Sequence, residues 1–336
     1  MNKSDQKVVS RRDPIAALIF TIVCLLLSPA MLVGYVLWIG KLFAGRRSGV
    51  SGTAQGPLSA RWFQHRLGTR QDEPAARLLM RLPGVSPLAV WLVFGPLLLA
   101  HRLSGYVPAA FRYPFQGQVS LQNQAAARQT YFDEAVNRYL GDVAQLVILG
   151  AGFDTRAFRL PKKIKMQVRS FEVDAPQTQA VKSELLRRAG IDLAGVALVS
   201  ADFEKDDWLS QLVGAGFDLH QPALFLWEGV TPYLERAAVE AALHKIAGTA
   251  RGSLVAFDFF TTEMLESQAL VLRLVRASLR AGGEALKFGL DSTPPLSERL
   301  TALLRSCGFA LIEQRTLGQE TKGKRALGGF AIAIVQ

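Results

Sequence analysis

A doubly wound, Rossmann-like α/β sheet of seven strands, preceded by an apolar N-terminal third, is the fold the sequence predicts. Three observations point to it. After Gln122, short apolar runs alternate with amphipathic helical stretches, the pattern of a sheet covered on both faces. The first run, QLVILG, ends in Gly150-Ala151-Gly152, a strand entering a tight glycine turn. Before all of this, Pro14 to Gly40 carries no charged residue.

With 336 residues, 49% of them hydrophobic, the chain can bury a full α/β core and keep about a hundred residues for an appendage. The net charge of +11 is uneven. Through residue 120 there are 14 Lys and Arg against 4 Asp and Glu, and beyond it 25 against 24. A nucleic-acid reader would place its basic surface on the reading domain, among aromatic or amide side chains. Here the basic residues flank apolar runs, which points to lipid headgroups and away from nucleic acid. Cys24 and Cys307 have no partner at a ligand spacing, and His65, His101, His220 and His244 are scattered, so neither a disulfide nor a metal site is expected.

The run from 14 to 40 exceeds the roughly 20 residues needed to cross a hydrocarbon core and is expected to be one transmembrane helix. Lys3, Lys7, Arg11 and Arg12 precede it, and Lys41, Arg46, Arg47, Arg61, Arg66, Arg70, Arg77 and Arg81 follow it. The longer basic flank places the following domain in the cytoplasm. A second uncharged stretch, residues 82–100, holds Pro83, Gly84, Pro87, Gly95 and Pro96. These interruptions favour an interfacial or re-entrant segment, or a lid helix, over a straight span.

In NQAAARQTYFDEAVNRYL, residues Tyr131, Phe132, Ala135, Val136, Tyr139 and Leu140 share one helical face leading into the first strand. The glycine turn, Gly150 and Gly152, leaves room for close approach of a ligand, and a helix should follow it. The second strand, VRSFEVD, ends in Glu172 and Asp174, where a carboxylate can accept hydrogen bonds from ribose hydroxyls. Thr155 stands where a dinucleotide fold expects a third glycine, which points to a cofactor without a pyrophosphate, such as S-adenosylmethionine. Strand VALVS runs into Asp202 and Phe203, and ALFLW into Glu228, so polar residues recur at successive carboxyl ends. SLVAFDFF, CGFALIEQRT and GGFAIAIVQ supply strands five to seven, the last two as a hairpin-like edge, with a helical insert EMLESQALVLRLVRASLRAGG after the fifth.

From about residue 120 onward the segments AARQTYFDEAV, VILGAGFDTRAFRL, FEVDAPQTQAVK, SADFEKDDW, LFLWEGVTPYL and FGLDS resemble the leucine carboxyl methyltransferase family and its bacterial O-methyltransferase-like members. The resemblance implies a seven-stranded class I methyltransferase sheet and S-adenosylmethionine as cofactor. It implies that Arg128 meets the methionine carboxylate, that Gly150 and Gly152 pass beneath the amino-acid portion, and that Asp174 holds the ribose. By the same resemblance Asp202 and Phe203 bracket the adenine and Glu228 approaches the cofactor's amino-acid end near the acceptor, while Tyr233 lies close enough in sequence to line that acceptor pocket. The expected organisation is a membrane anchor over 1–45, a basic linker with an apolar lid segment over 46–120, and the methyltransferase domain over 121–336. The expected activity is O-methylation of a carboxylate or hydroxyl on a hydrophobic, lipid-like small molecule. A carboxylate acceptor needs no base, whereas a hydroxyl would, with Asp258 or Tyr233 as candidates. The alternatives are a membrane-tethered scaffold with a non-catalytic methyltransferase fold, or a nicotinamide-dependent oxidoreductase.

Overall fold

The computed structural model describes residues 14–45, 52–281, 285–321 and 323–336. The flanking cations Lys3, Lys7, Arg11, Arg12, Arg46 and Arg47 lie outside the described residues.

The N-terminal third holds α1 (Pro14–Leu26), α2 (Ser28–Gly45), α3 (Gly52–Arg66), α4 (Glu73–Leu79) and α5 (Pro87–Ser104). The expected single helix over 14–40 is instead two, diverging by 64° at Leu27. Pro29 has no N–H to offer the Leu25 carbonyl, and the Ser28 hydroxyl donates to that carbonyl at 2.7 Å in its place. Loss of one intrahelical bond and its replacement by a side chain is a sufficient cause of a bend. The 82–100 stretch is less interrupted than its prolines imply. Pro87 sits in the first turn of α5, where no N–H is missed, Ser86 caps it, and Gly105 closes it with φ 71°. Only Pro96 lies inside. By length and composition alone α5 could cross a membrane, and so could the bent pair if counted as one element.

Then come α6 (Gln124–Tyr139), β1 (Gln145–Leu149), α7 (Lys162–Lys165), β2 (Arg169–Asp174), α8 (Pro176–Arg188), β3 (Val196–Ser200), α9 (Trp208–Gly214), β4 (Ala223–Trp227), α10 (Arg236–Ala247) and β5 (Leu254–Phe260). The chain finishes with α11 (Thr262–Glu266), α12 (Leu270–Ala281), α13 (Leu296–Ser306), β6 (Phe309–Leu317) and β7 (Gly328–Val335). The seven strands make one sheet in the order β3-β2-β1-β4-β5-β7-β6. β1 to β5 are parallel, and β7 inserts antiparallel between β5 and β6. The terminal hairpin thus pairs as expected, with β6 alone at the edge.

β1 and β4 are buried throughout, as parallel strands covered on both faces must be. One face packs Val147, Phe171, Phe225 and Val255 against α9, α10 and α13. The other sets Leu146, Ile148, Leu224 and Leu226 against α6. A third cluster joins Trp62, Phe63, Leu78 and Phe94 of the N-terminal helices to Phe153, Phe158, Leu185 and Leu186. The N-terminal helices are therefore packed on the sheet domain, and the body that carries the site begins well before residue 121.

Candidate active site

The strand order reverses between β1 and β4, and at such a switch point the loops leaving two neighbouring strands diverge and open a crevice. A cavity of about 370 Å³ lies there. All eight expected residues line it: Arg128, Gly150, Gly152, Asp174, Asp202, Phe203, Glu228 and Tyr233. The glycine turn is left-handed at both positions, with φ 63° at Gly150 and 45° at Gly152. At Gly150 a Cβ would come within 2.2 Å of Val230 Cγ2, so this glycine is required by the β4 loop as well as by the backbone. The helix expected after the turn is missing. The chain makes only a 3₁₀ turn over Ala157–Arg159 and the single turn of α7, because Asp154, Thr155 and Arg156 are engaged in the interior. Thr155 donates to Asp72 Oδ2 at 2.9 Å, and Asp72 is the N-cap of α4. The residue in place of the third glycine thus fastens the N-terminal helices to the turn.

Of the two carboxylates ending β2, only Asp174 reaches the cavity. It accepts from the Gly152 and Ala175 N–H groups at 2.5 and 2.7 Å. Burial raises its pKa while those two N–H groups oppose the rise. Glu172 points away, fully buried, with Lys182 Nζ at 2.6 Å, and burial pushes it up to about 7 despite that cation. Asp202, on the loop after β3, accepts from Glu204 N and Lys205 Nζ. Phe203 leans edge-on against Trp208 at 6.0 Å.

At the β1–β4 end lies a buried ionic cluster. Arg156, 1% exposed, donates to Glu228 at 2.5 Å, to Asp133 at 2.6 Å and to Asp154. Arg61 joins from α3, donating to Asp154 at 2.9 Å and Glu228 at 3.3 Å. Arg128 pairs with Glu228 at 3.3 Å and Asp258 at 3.4 Å. Behind them, Asp133 also receives Arg70, Arg159 and the Tyr113 hydroxyl, the last at 2.6 Å. Burial alone would raise these acids. Arg156 with Arg61 holds Asp154 far below the carboxylate range, and Arg156, Arg70 and Arg159 do the same for Asp133. Glu228 is likewise lowered, with Arg156, Arg61 and Arg128 overriding its burial.

Asp258 does not line the cavity. It accepts from Gly229 N at 2.6 Å and pairs with Arg128, so it positions the loop after β4 and does not face an acceptor. Arg61 corrects the reading of the N-terminal cations as a lipid-facing flank: Arg61 and Arg70 are each 2% exposed. Arg61 and Pro57 line the cavity, and composition gave no hint of either. Among the titratable lining residues, five carboxylates (Asp154, Asp174, Asp202, Glu204, Glu228) face two guanidinium groups (Arg61, Arg128). Arg156 answers Asp154 and Glu228, Lys205 answers Asp202 and Lys287 answers Glu204, so among the described residues Asp174 is the one of these five carboxylates that pairs with no cation.

The chain is similar to known proteins over part of its length. An S-adenosyl-L-methionine-dependent methyltransferase of Mycolicibacterium smegmatis, named as putative, is 39% identical over 51% of this chain and 52% of its own length. One of Mycobacteroides abscessus, named in the same way, is 38% identical over 42% of this chain and 47% of its own. The chain spans about half the length of these curated relatives. A solved DUF574 family protein from Streptomyces avermitilis superposes over 83% of this chain and 97% of its own at 15% identity, with a TM-score of 0.47. Residues 104–247, the stretch that holds all eight expected site residues but neither Pro57 nor Arg61, match the family model described as leucine carboxyl methyltransferase.

Proposed function

We propose that this chain is an S-adenosylmethionine-dependent methyltransferase that methylates an oxygen on a hydrophobic, lipid-like small molecule. The observation that carries the reading is the cavity at the β1–β4 switch point, whose polar groups suit the parts of that cofactor. The methionine carboxylate would find the Arg128 and Arg61 guanidinium groups, which meet Glu228, Asp258 and Asp154 in the structure. Asp174 would take the ribose hydroxyls, and Asp202 with Phe203 would flank the adenine. Bound there, the cofactor would supply an electrophilic methyl carbon.

What the chain contributes is alignment. Pro57, Val230, Tyr233 and Leu234 form the apolar side of the cavity, where an acceptor oxygen can be held in line and shielded from water. Glu228, pinned by three arginines and held ionised, is a poor proton shuttle, which suits an acceptor that arrives already as a carboxylate. The apolar helices α1, α2 and α5 support a membrane-associated protein and a hydrophobic acceptor, with the sheet domain in the cytoplasm, where the cofactor is made.

Calorimetric titration of the detergent-solubilised full chain with S-adenosylmethionine tests the reading. Binding is expected, weakened at least about tenfold by Asp174→Ala and by Arg61→Ala, each of which removes a hydrogen bond of a charged group. Binding of NADH in its place would turn the assignment to an oxidoreductase, and absence of both from folded protein would leave a tethered scaffold.

A further inference from the structure

We infer that α1, α2 and α5 form an in-plane platform sunk into a single leaflet of an anionic bilayer, with both ends of the α1–α2 pair on the same side. The inference deepens the membrane part of the proposed function and rests on that part alone, independent of which cofactor is bound.

At 1.5 Å per residue, the 13 residues of α1 reach about 20 Å and the 18 of α2 about 27 Å, so length does not separate a span from an in-plane pair. The reason is packing. α5 lies against both α1 and α2, and at Gly34 a Cβ would stand 2.6 Å from Leu92 Cβ, so α2 is pressed backbone to backbone on α5. α5 is also tied to α3, which shares a core cluster with the sheet domain. Phe94 touches Trp38 of α2 at 5.8 Å and also Trp62, Phe63 and Phe111 at 5.7, 5.1 and 6.3 Å. A bent pair bound to the body through α5 lies along it and cannot project away as a span does.

The outward face names its occupant. Leu18, Ile22 and Leu25 of α1, Leu32 and Val36 of α2, and Leu88 and Leu99 of α5 are exposed. The three helices contain no Asp or Glu. Their cations sit at the margins: Lys41 and Arg102 are exposed, and Arg66 lies over the half-exposed Trp91 at 5.7 Å. A hydrocarbon centre with a cationic and tryptophan rim fits acyl chains beneath anionic headgroups. A second copy would fit worse, since a two-fold interface would set this cationic rim against itself. Only residues 46–51 separate α2 from α3, which bears Pro57 and Arg61, so the platform would hold that wall of the cavity at the lipid surface.

The test uses the full chain with Cys24→Ala and Cys307→Ala, carrying either Ser4→Cys or Ser48→Cys, bound to preformed phosphatidylcholine vesicles with and without phosphatidylserine. Co-sedimentation favouring the anionic vesicles is expected, with both cysteines labelled by an impermeant maleimide from outside. Ile22→Glu with Leu25→Glu should cut the bound fraction at least about tenfold. Ser4→Cys labelled only after permeabilisation would overturn the inference in favour of a span. Failure to bind vesicles, with a discrete dimer in solution, would overturn it in favour of a second copy. S-adenosylmethionine titration of the same samples separates the two proposals: vesicle binding without cofactor binding sinks only the methyltransferase reading, and the converse sinks only the platform.

Discussion

Two regions of this molecule depart from the usual rule of apolar inside and charged outside, in opposite directions. Between α3, α6 and the loops after β1 and β4, Arg61, Arg70 and Arg156 are nearly inaccessible together with Asp72, Asp133 and Asp154. Across α1, α2 and α5, leucines and isoleucines stand in the open. The buried region carries its partners within it: every guanidinium of the cluster meets a carboxylate. Among the described residues, nothing covers the outer face of the exposed region. One is thus a network whose cost of desolvation is offset internally, and the other is the face proposed above to meet lipid.

The comparison breaks most visibly at Arg156. Arg156→Met leaves Asp133, Asp154 and Glu228 short of a shared cation in a buried place, and the expected cost in chemical denaturation is about 3–5 kcal/mol. The pH dependence follows from the direction of the shifts. Asp133 and Asp154 are held far below the ordinary carboxylate range, so they contribute full stability above that range and lose it as pH falls below it toward their depressed folded values. The variant relaxes the depression, so the gap between the two proteins should be widest at neutral pH and should begin to narrow below about pH 4. A gap independent of pH would mean that Arg156 acts by packing over Phe132, 5.6 Å away.

Glu172 and Lys182 give a smaller, sharper case, because the pair is buried but lies outside the cavity. Lys182→Met should cost about 3 kcal/mol near pH 8. Glu172 is already pushed up to about 7, and without its cation it rises further. A carboxyl group whose folded pKa is raised keeps its stability below the unfolded value and loses it as pH rises through the folded one. The deficit should therefore shrink near pH 5, where Glu172 is neutral, and adding Glu172→Leu should recover most of it at either pH. Recovery of nothing by the second substitution would show that Lys182 matters through its contact with Phe158, 5.5 Å away.

The sheet was legible in sequence because β1, β2, β4 and β5 are apolar runs bounded by glycines and polar residues, a pattern that burial on both faces forces. That the eight expected residues line one cavity has a related reason: they sit within or directly after motifs at strand ends, or, for Arg128, on the helix face next to them. Arg61 was not. Its acceptors, Asp154 and Glu228, are 93 and 167 residues away, and an arginine in a basic N-terminal run looks like any surface cation until the fold closes over it. The missing helix after Gly152 has the same origin, since Thr155 and Arg156 are held by Asp72 and Asp133, residues earlier in the chain. The break at Leu27 could have been read from Ser28-Pro29, but hydropathy averaged over the run hides a single missing N–H.

The smallest expected effect is on the exposed face. Leu25 is 66% exposed, so folding removes little of it from solvent, and Leu25→Ser should change the denaturation free energy of detergent-solubilised protein by no more than about 0.5 kcal/mol. The same substitution should nonetheless weaken binding to anionic vesicles, because only there is the side chain transferred into hydrocarbon. Separation of these two readouts is what distinguishes an interface residue from a core residue. A loss of stability in detergent comparable to the buried substitutions would mean that Leu25 is covered within the protein itself, and the opposition between a self-sufficient charged interior and an open apolar face would no longer hold.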